Sequence, residues 1–160
     1  MTSLQTAPAS TTTTFTVLRR ETRERLLLRR YILLDRIDQS HGRRHHRVME
    51  FTATLGPRTV LTTDEVLTEL LAYCASHPRL RREAGLAVLH LQNDLDIHIV
   101  PQSRSSFLDG LTLYNARSDK GYSLTDCISM QTMRREGIAQ ALTNDRHFEQ
   151  EGFRALFRDS

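Results

Sequence analysis

The sequence has no tryptophan, only 6% aromatic residues, two cysteines and a single lysine, Lys120. Each scarcity narrows the function. There are too few aromatic rings for a platform on which successive bases of a single strand would stack. Cys74 and Cys127 sit in separate apolar helical contexts without a C-x-x-C partner, which argues against a disulfide framework or a zinc knuckle. A reducing, cytoplasmic compartment is expected. No apolar run approaches the ~20 residues that cross a bilayer, so no membrane partner is expected. A glycine-rich phosphate loop, a G-x-S-x-G elbow, a Cys/His nucleophile pair and a helix-turn-helix are also missing.

What is present fits one globular domain. The 160 residues are 39% hydrophobic and 26% charged, enough for one real core. Lys and Arg total 22 against 19 Asp and Glu, giving a net charge of +3, and nearly every base is an arginine. The arginine pairs at 29–30, 43–44, 81–82 and 134–135 have the planar fork that suits phosphates. Taken singly, each pair is more simply a solvated helix face.

Residues 1–14, "MTSLQTAPASTTTT", read as a disordered polar tail. Residues 15–31 form an atypical arginine-rich segment, either a helix or a short strand running into one. Beyond it, a turn and a helix through Val48, Phe51 and Leu55 end at Gly56-Pro57. "RTVLTT" is a short strand, Asp64 an N-cap for the following helix, and "RLRREAGLAVLHLQND" a further helix. "DIHIVP" reads as a strand, "SFLDGLTLYNAR" as a helix and "SDKGYS" as a loop. A helix over 123–136 ends at Gly137, followed by a strand at 138–143, a crossing at 145–152 and a strand at 153–157. The alternation predicts an α/β fold with a mostly parallel central sheet flanked by helices in three layers.

Three acids fall where such sheets place ligands, outside the carboxyl ends of their strands. Asp145 follows the strand "IAQALTN", Glu69 lies on the second turn after "RTVLTT", and Asp126 opens the helix begun by Ser123. Each also has a plain structural role available. Ser123 to Asp126 is an S-x-x-D capping pattern, Asp145 could cap a helix, and Glu69 could be solvated. His41, His45 and His46 offer an i, i+4 pair, but two arginines lie between them and no acid accompanies them. His147 in "DRHF" either lies near a phosphate or packs beside Phe148.

The stretch "YSLTDCISMQTMRREGIAQALTNDRHFEQEGFRALF" resembles the C-terminal half of PIN domains, in particular ribonucleases related to the VapC toxins. There, S-L-T-D-C on a helix and A-L-T-x-D-x-H-F after a strand form a paired signal. "TTDEVLTELL" and "LLDRIDQSH" are similar to earlier parts of that family, so the resemblance covers 32–160. It implies a PIN-like fold and metal-dependent cleavage of RNA. Glu69, Asp126 and Asp145 would be the catalytic acids and ligands of Mg²⁺ or Mn²⁺, with Asp119 a candidate peripheral acid. Clustered carboxylates repel one another and persist as anions only beside cations, which agrees with such a site. Thr125, Thr143 and Arg146 are candidates for substrate contacts. A cognate antitoxin and a homodimer would be the protein partners.

The resemblance has one gap. Such nucleases carry a first acid at the end of the first strand, and counting back from "LLDRIDQSH" leads to or near Leu26 in "RERLLLRRYILL". No acid stands there, and Glu21 and Glu24 follow no apolar strand. Either the site is built differently, or a ligand has been lost and activity is weak or absent, or the N-terminal sequence is a frameshifted reading of an intact gene.

Overall fold

The computed structural model describes residues 25–29, 33 and 58–157. Among the described residues five strands form one sheet: β1 Arg25–Leu28, β2 Thr59–Thr63, β3 Ile97–Val100, β4 Gln140–Leu142 and β5 Arg154–Ala155. Their spatial order is β3-β2-β1-β4-β5, and every pairing is parallel. Helices α1 Asp64–Cys74, α2 Pro78–Asn93, α3 Arg104–Ala116, α4 Leu124–Glu136 and α5 Arg146–Gln150 lie between the strands. This is the α/β architecture that the alternation predicts.

The centre of a parallel sheet is covered on both faces, so its strands need uninterrupted apolar runs. Leu26, Leu27 and Leu28 meet that demand and are almost wholly buried. Successive side chains point to opposite faces. Leu26 and Leu28 therefore pack with Val66, Leu67 and Leu70 of α1, while Leu27 packs with Cys127, Met130 and Met133 of α4. Two apolar clusters on either side of one sheet make the three layers. The strand lies inside the arginine-rich stretch, where the strand alternative of the sequence reading is the one observed.

Local signals set the helix ends. Ser123 and Asp126 form a reciprocal capping box at the start of α4, and Gly137 closes it with a left-handed φ of 65°. Several boundaries differ from expectation, among them β4, which is Gln140–Leu142 rather than 138–143. Thr63, not Asp64, caps α1 by accepting from the Val66 N–H, while Asp64 accepts from the Gln102 N–H at 2.9 Å. The crossing at 145–152 contains α5, because Asp145 accepts from the His147 N–H and starts a helical turn. The last strand is only Arg154–Ala155. The tail 1–14, the helix through Val48, Phe51 and Leu55, and His41, His45 and His46 lie outside the described residues.

Helices α3 and α4 touch at Gly110. A Cβ there would lie 2.3 Å from Ile128 Cγ1 and 3.1 Å from the Ile128 nitrogen. Gly110→Ala should therefore lower stability by about 1–3 kcal/mol, since the helices must separate to admit it. Gly85 lies within α2, and a methyl group added to it would meet no described atom within 4 Å, so Gly85→Ala should raise stability by about 0.5–1 kcal/mol. Urea midpoints moving in opposite directions would bear out both expectations.

Candidate active site

The chain runs from β1 to β2 and β3 on one side of the sheet and places β4 and β5 on the other. The topological switch point therefore lies between β1 and β4, the place where such sheets form a ligand crevice at their carboxyl ends. Thr62 Oγ1 donates to the Leu28 carbonyl at 3.1 Å and fixes the end of β1. The next residue is Arg29, 6% exposed, with its side chain in that crevice.

The Arg29 guanidinium is engaged on its edge and on its face. Nη2 is hydrogen-bonded and ion-paired to Asp126 Oδ1 and lies 3.6 Å from Glu69 Oε2. Nη1 donates to Ser129 Oγ at 2.8 Å and to the Thr125 carbonyl at 3.4 Å. The ring of Phe148 lies 5.4 Å below the guanidinium carbon. One charge thus ties the end of β1 to α1, α4 and α5.

Asp126 serves two structures at once. Its Oδ2 accepts from the Ser123 N–H at 2.9 Å and hydroxyl at 2.7 Å, while Oδ1 faces Arg29. Capping and pocket formation are therefore one arrangement. Across the crevice, ligand atoms of Asp126, Asp145 and His147 lie within 4.8 Å of one another. His147 Nδ1 is 3.2 Å from Asp145 Oδ1, and its ring is tilted against Tyr122 at 5.1 Å. Glu69 and Asp126 meet through Arg29, and Asp126 meets Asp145.

The other candidates hold different places. Asp119 is exposed and pairs with Lys120 at 3.2 Å. Thr143 is buried, and its hydroxyl accepts from the Asp145 N–H at 3.1 Å, whereas Thr125 presents its carbonyl to Arg29. Arg146 is exposed beside Asp145. Leu26 is not the strand end. It pairs with Val60 and Gln140 in the middle of β1 and is fully buried, because the leucine triplet is itself the strand. The residue at the strand end is Arg29, three positions later.

A divalent ion does not fit the Glu69–Asp126 side of this pocket as it stands. Both Asp126 oxygens already accept from protein donors, and the guanidinium lies between the two carboxylates. A second cation about 4 Å from Arg29 would meet repulsion of roughly 8 kcal/mol, twice the value for two single charges at a surface-like dielectric.

The PIN domain family matches residues 32–153. The chain belongs to the PIN domain family. The match begins just past β1 and Arg29. The fold is similar to the crystal structure of VapC20 from Mycobacterium tuberculosis, a toxin that cleaves the sarcin–ricin loop. The TM-score is 0.70 at 20% identity, covering 80% of this chain and 95% of that one. No curated protein sequence matches the chain.

Two groups of this PIN domain escaped the sequence reading of the site. Arg29 was legible only as half of a basic pair, and Ser129 carries no signal of its own in the sequence. A third feature, Glu151, holds the pocket from behind. Its carboxylate is 3% exposed at the end of α5 and receives Arg117 Nε at 2.7 Å and Arg134 Nη2 at 2.5 Å. This clamp fixes α5, and with it Asp145 and His147, against α3 and α4. Both cysteines are buried, and burial pushes the Cys127 thiol up to about 11.

Burial would raise the Glu151 carboxyl, but the hydrogen bonds from Arg117 and Arg134 prevail and hold it below its ordinary value of 4.5. The unfolded chain then takes up the proton first as pH falls. Stability from this clamp is present above about pH 4.5 and is lost as pH drops through the folded-state value. Glu151→Gln should cost about 1–3 kcal/mol at pH 7 and flatten the acid limb of a urea-midpoint series. A variant with the native acid limb would show that other groups set it.

Proposed function

We propose that the chain is a PIN-domain protein of the VapC ribonuclease type whose cleavage of RNA is weak or absent. The observation that carries this reading is the buried Arg29 guanidinium between Asp126 and Glu69. Family membership, the likeness of fold to VapC20 and the acids gathered at the switch point support the ribonuclease type. An arginine at the strand end, where the family resemblance calls for an acid, supports the reduced activity.

RNA is the proposed ligand, with Arg146 at the mouth of the pocket available to a phosphate. Glu69, Asp126 and Asp145 are the acids of the former centre. Thr143 positions Asp145, and Thr125 helps hold Arg29. Mg²⁺ or Mn²⁺, which oxygen donors select, would belong to an active form of this site. No step of hydrolysis is assigned to the pocket in its present form. A cognate antitoxin, a homodimer and a cytoplasmic setting complete the proposal. Among the described residues no helix is long and apolar enough to cross a membrane.

RNA cleavage in the presence of Mn²⁺ tests it. The native chain should stay at or near the buffer blank. Arg29→Asp should raise metal-dependent cleavage roughly a hundredfold or more, as metal stabilisation of transition-state charge contributes several kcal/mol. Strong native cleavage that disappears in Glu69→Gln would overturn the proposal of reduced activity. A folded Arg29→Asp chain that gains nothing would overturn the ribonuclease assignment and leave a PIN fold acting as a binding module.

A further inference from the structure

We propose that the Arg29 guanidinium takes the place of a divalent cation, so that the native chain folds without metal, while removal of this one charge opens a cation site bounded by Glu69, Asp126 and Asp145. The inference rests on reading the pocket as a former metal centre. It does not depend on RNA being the substrate.

Charge is the first ground. An arginine in place of an acid at the end of β1 raises the charge of the pocket by two units. A divalent ion bound to the acid-bearing form raises it by the same amount. The remaining carboxylates thus feel a comparable net charge in the two arrangements. Without either cation, Asp126 would lose the ion-pair partner of its Oδ1 while a second carboxylate, Asp145, stands within 4.8 Å.

Geometry is the second. A phosphate-binding arginine presents its fork to solvent, but Arg29 is 6% exposed and sends both terminal nitrogens inward. Nη2 addresses the two carboxylates, Nη1 addresses the Ser129 hydroxyl and Thr125 carbonyl, and Phe148 covers one face. A compact ammonium could not serve the carboxylates on one side and the α4 oxygens on the other with the same fixed fork. The site is therefore closed around a guanidinium, and the partners of Arg29 are internal groups that a folded chain needs satisfied.

The experiment compares the native chain with Arg29→Gln, in EDTA and in Mn²⁺. The native chain should show the same Tm in both and bind no Mn²⁺ in the pocket by calorimetric titration. Arg29→Gln should melt lower in EDTA and recover by roughly 5–10 °C at a hundredfold excess of Mn²⁺ over its Kd. Adding Glu69→Gln to that variant should weaken the recovery. Arg29→Gln that is unfolded in EDTA but folds on addition of Mn²⁺ would give the same answer. Saturable Mn²⁺ binding to the native chain that Glu69→Gln removes would overturn the inference, as would Arg29→Gln that ignores Mn²⁺, folded or not. Metal-dependent folding of Arg29→Gln with no RNA cleavage by Arg29→Asp would uphold this inference while the ribonuclease assignment falls.

Discussion

A guanidinium at the end of a central strand has to be neutralised and hydrogen-bonded where it lies, because the protein around it excludes the water that would otherwise solvate it. Arg29 meets that constraint with a carboxylate from α4, a second from α1, a hydroxyl, a carbonyl and an aromatic face. The constraint works in both directions. Asp126 is buried and gives Oδ1 to Arg29 and Oδ2 to the start of α4, so the helix it caps and the strand that Arg29 ends are fixed together. The close packing of Ser129 and Phe148 against the same group extends the dependence to the core of α4 and to α5.

Acids distant in sequence meet here for a topological reason. Parallel strands bring all their carboxyl ends to one edge, and the reversal of strand order between β1 and β4 opens a gap in the helical cover above them. Helix α4 projects its N-terminus into that gap, where the capping requirement already favours an acid. Asp145 arrives by the same logic at the start of α5. Local capping and long-range pocket formation therefore ask for the same residue types, which is why neither Asp126 nor Asp145 can be given one role alone. Glu151 holds the arrangement from the other end of α5, through arginines from the ends of α3 and α4.

How legible the site was in the sequence followed from which forces were local. The Ser123–Asp126 capping box, Gly137 at the end of α4 and the succession of strands and helices depend on neighbours in the chain, and those signals could be read directly. Glu69, Asp126 and Asp145 were singled out because strand ends mark the ligand edge. The end of β1 was misplaced because three leucines in a row carry no mark of where a doubly buried strand stops. The role of Arg29 was hidden for a deeper reason. Its partners lie 40 to 119 positions away along the chain and come together only through the sheet order. An arginine beside another arginine gives no local sign that one of them is buried.

The same geometry bears on the idea that the arginine-rich segment is a frameshifted reading. A misread stretch has no reason to supply three leucines in the pairing register of a central strand, followed by a cation matched to the acids waiting at its end. A neutral residue there would leave those acids uncompensated, and a lysine would offer a point charge where a fork is needed. The near absence of lysine from the composition thus reaches the pocket itself. In a chain whose bases are almost all arginine, the residue at the strand end has the reach, the planar edge and the polarisable face to be held by a carboxylate, a hydroxyl and a phenyl ring at once.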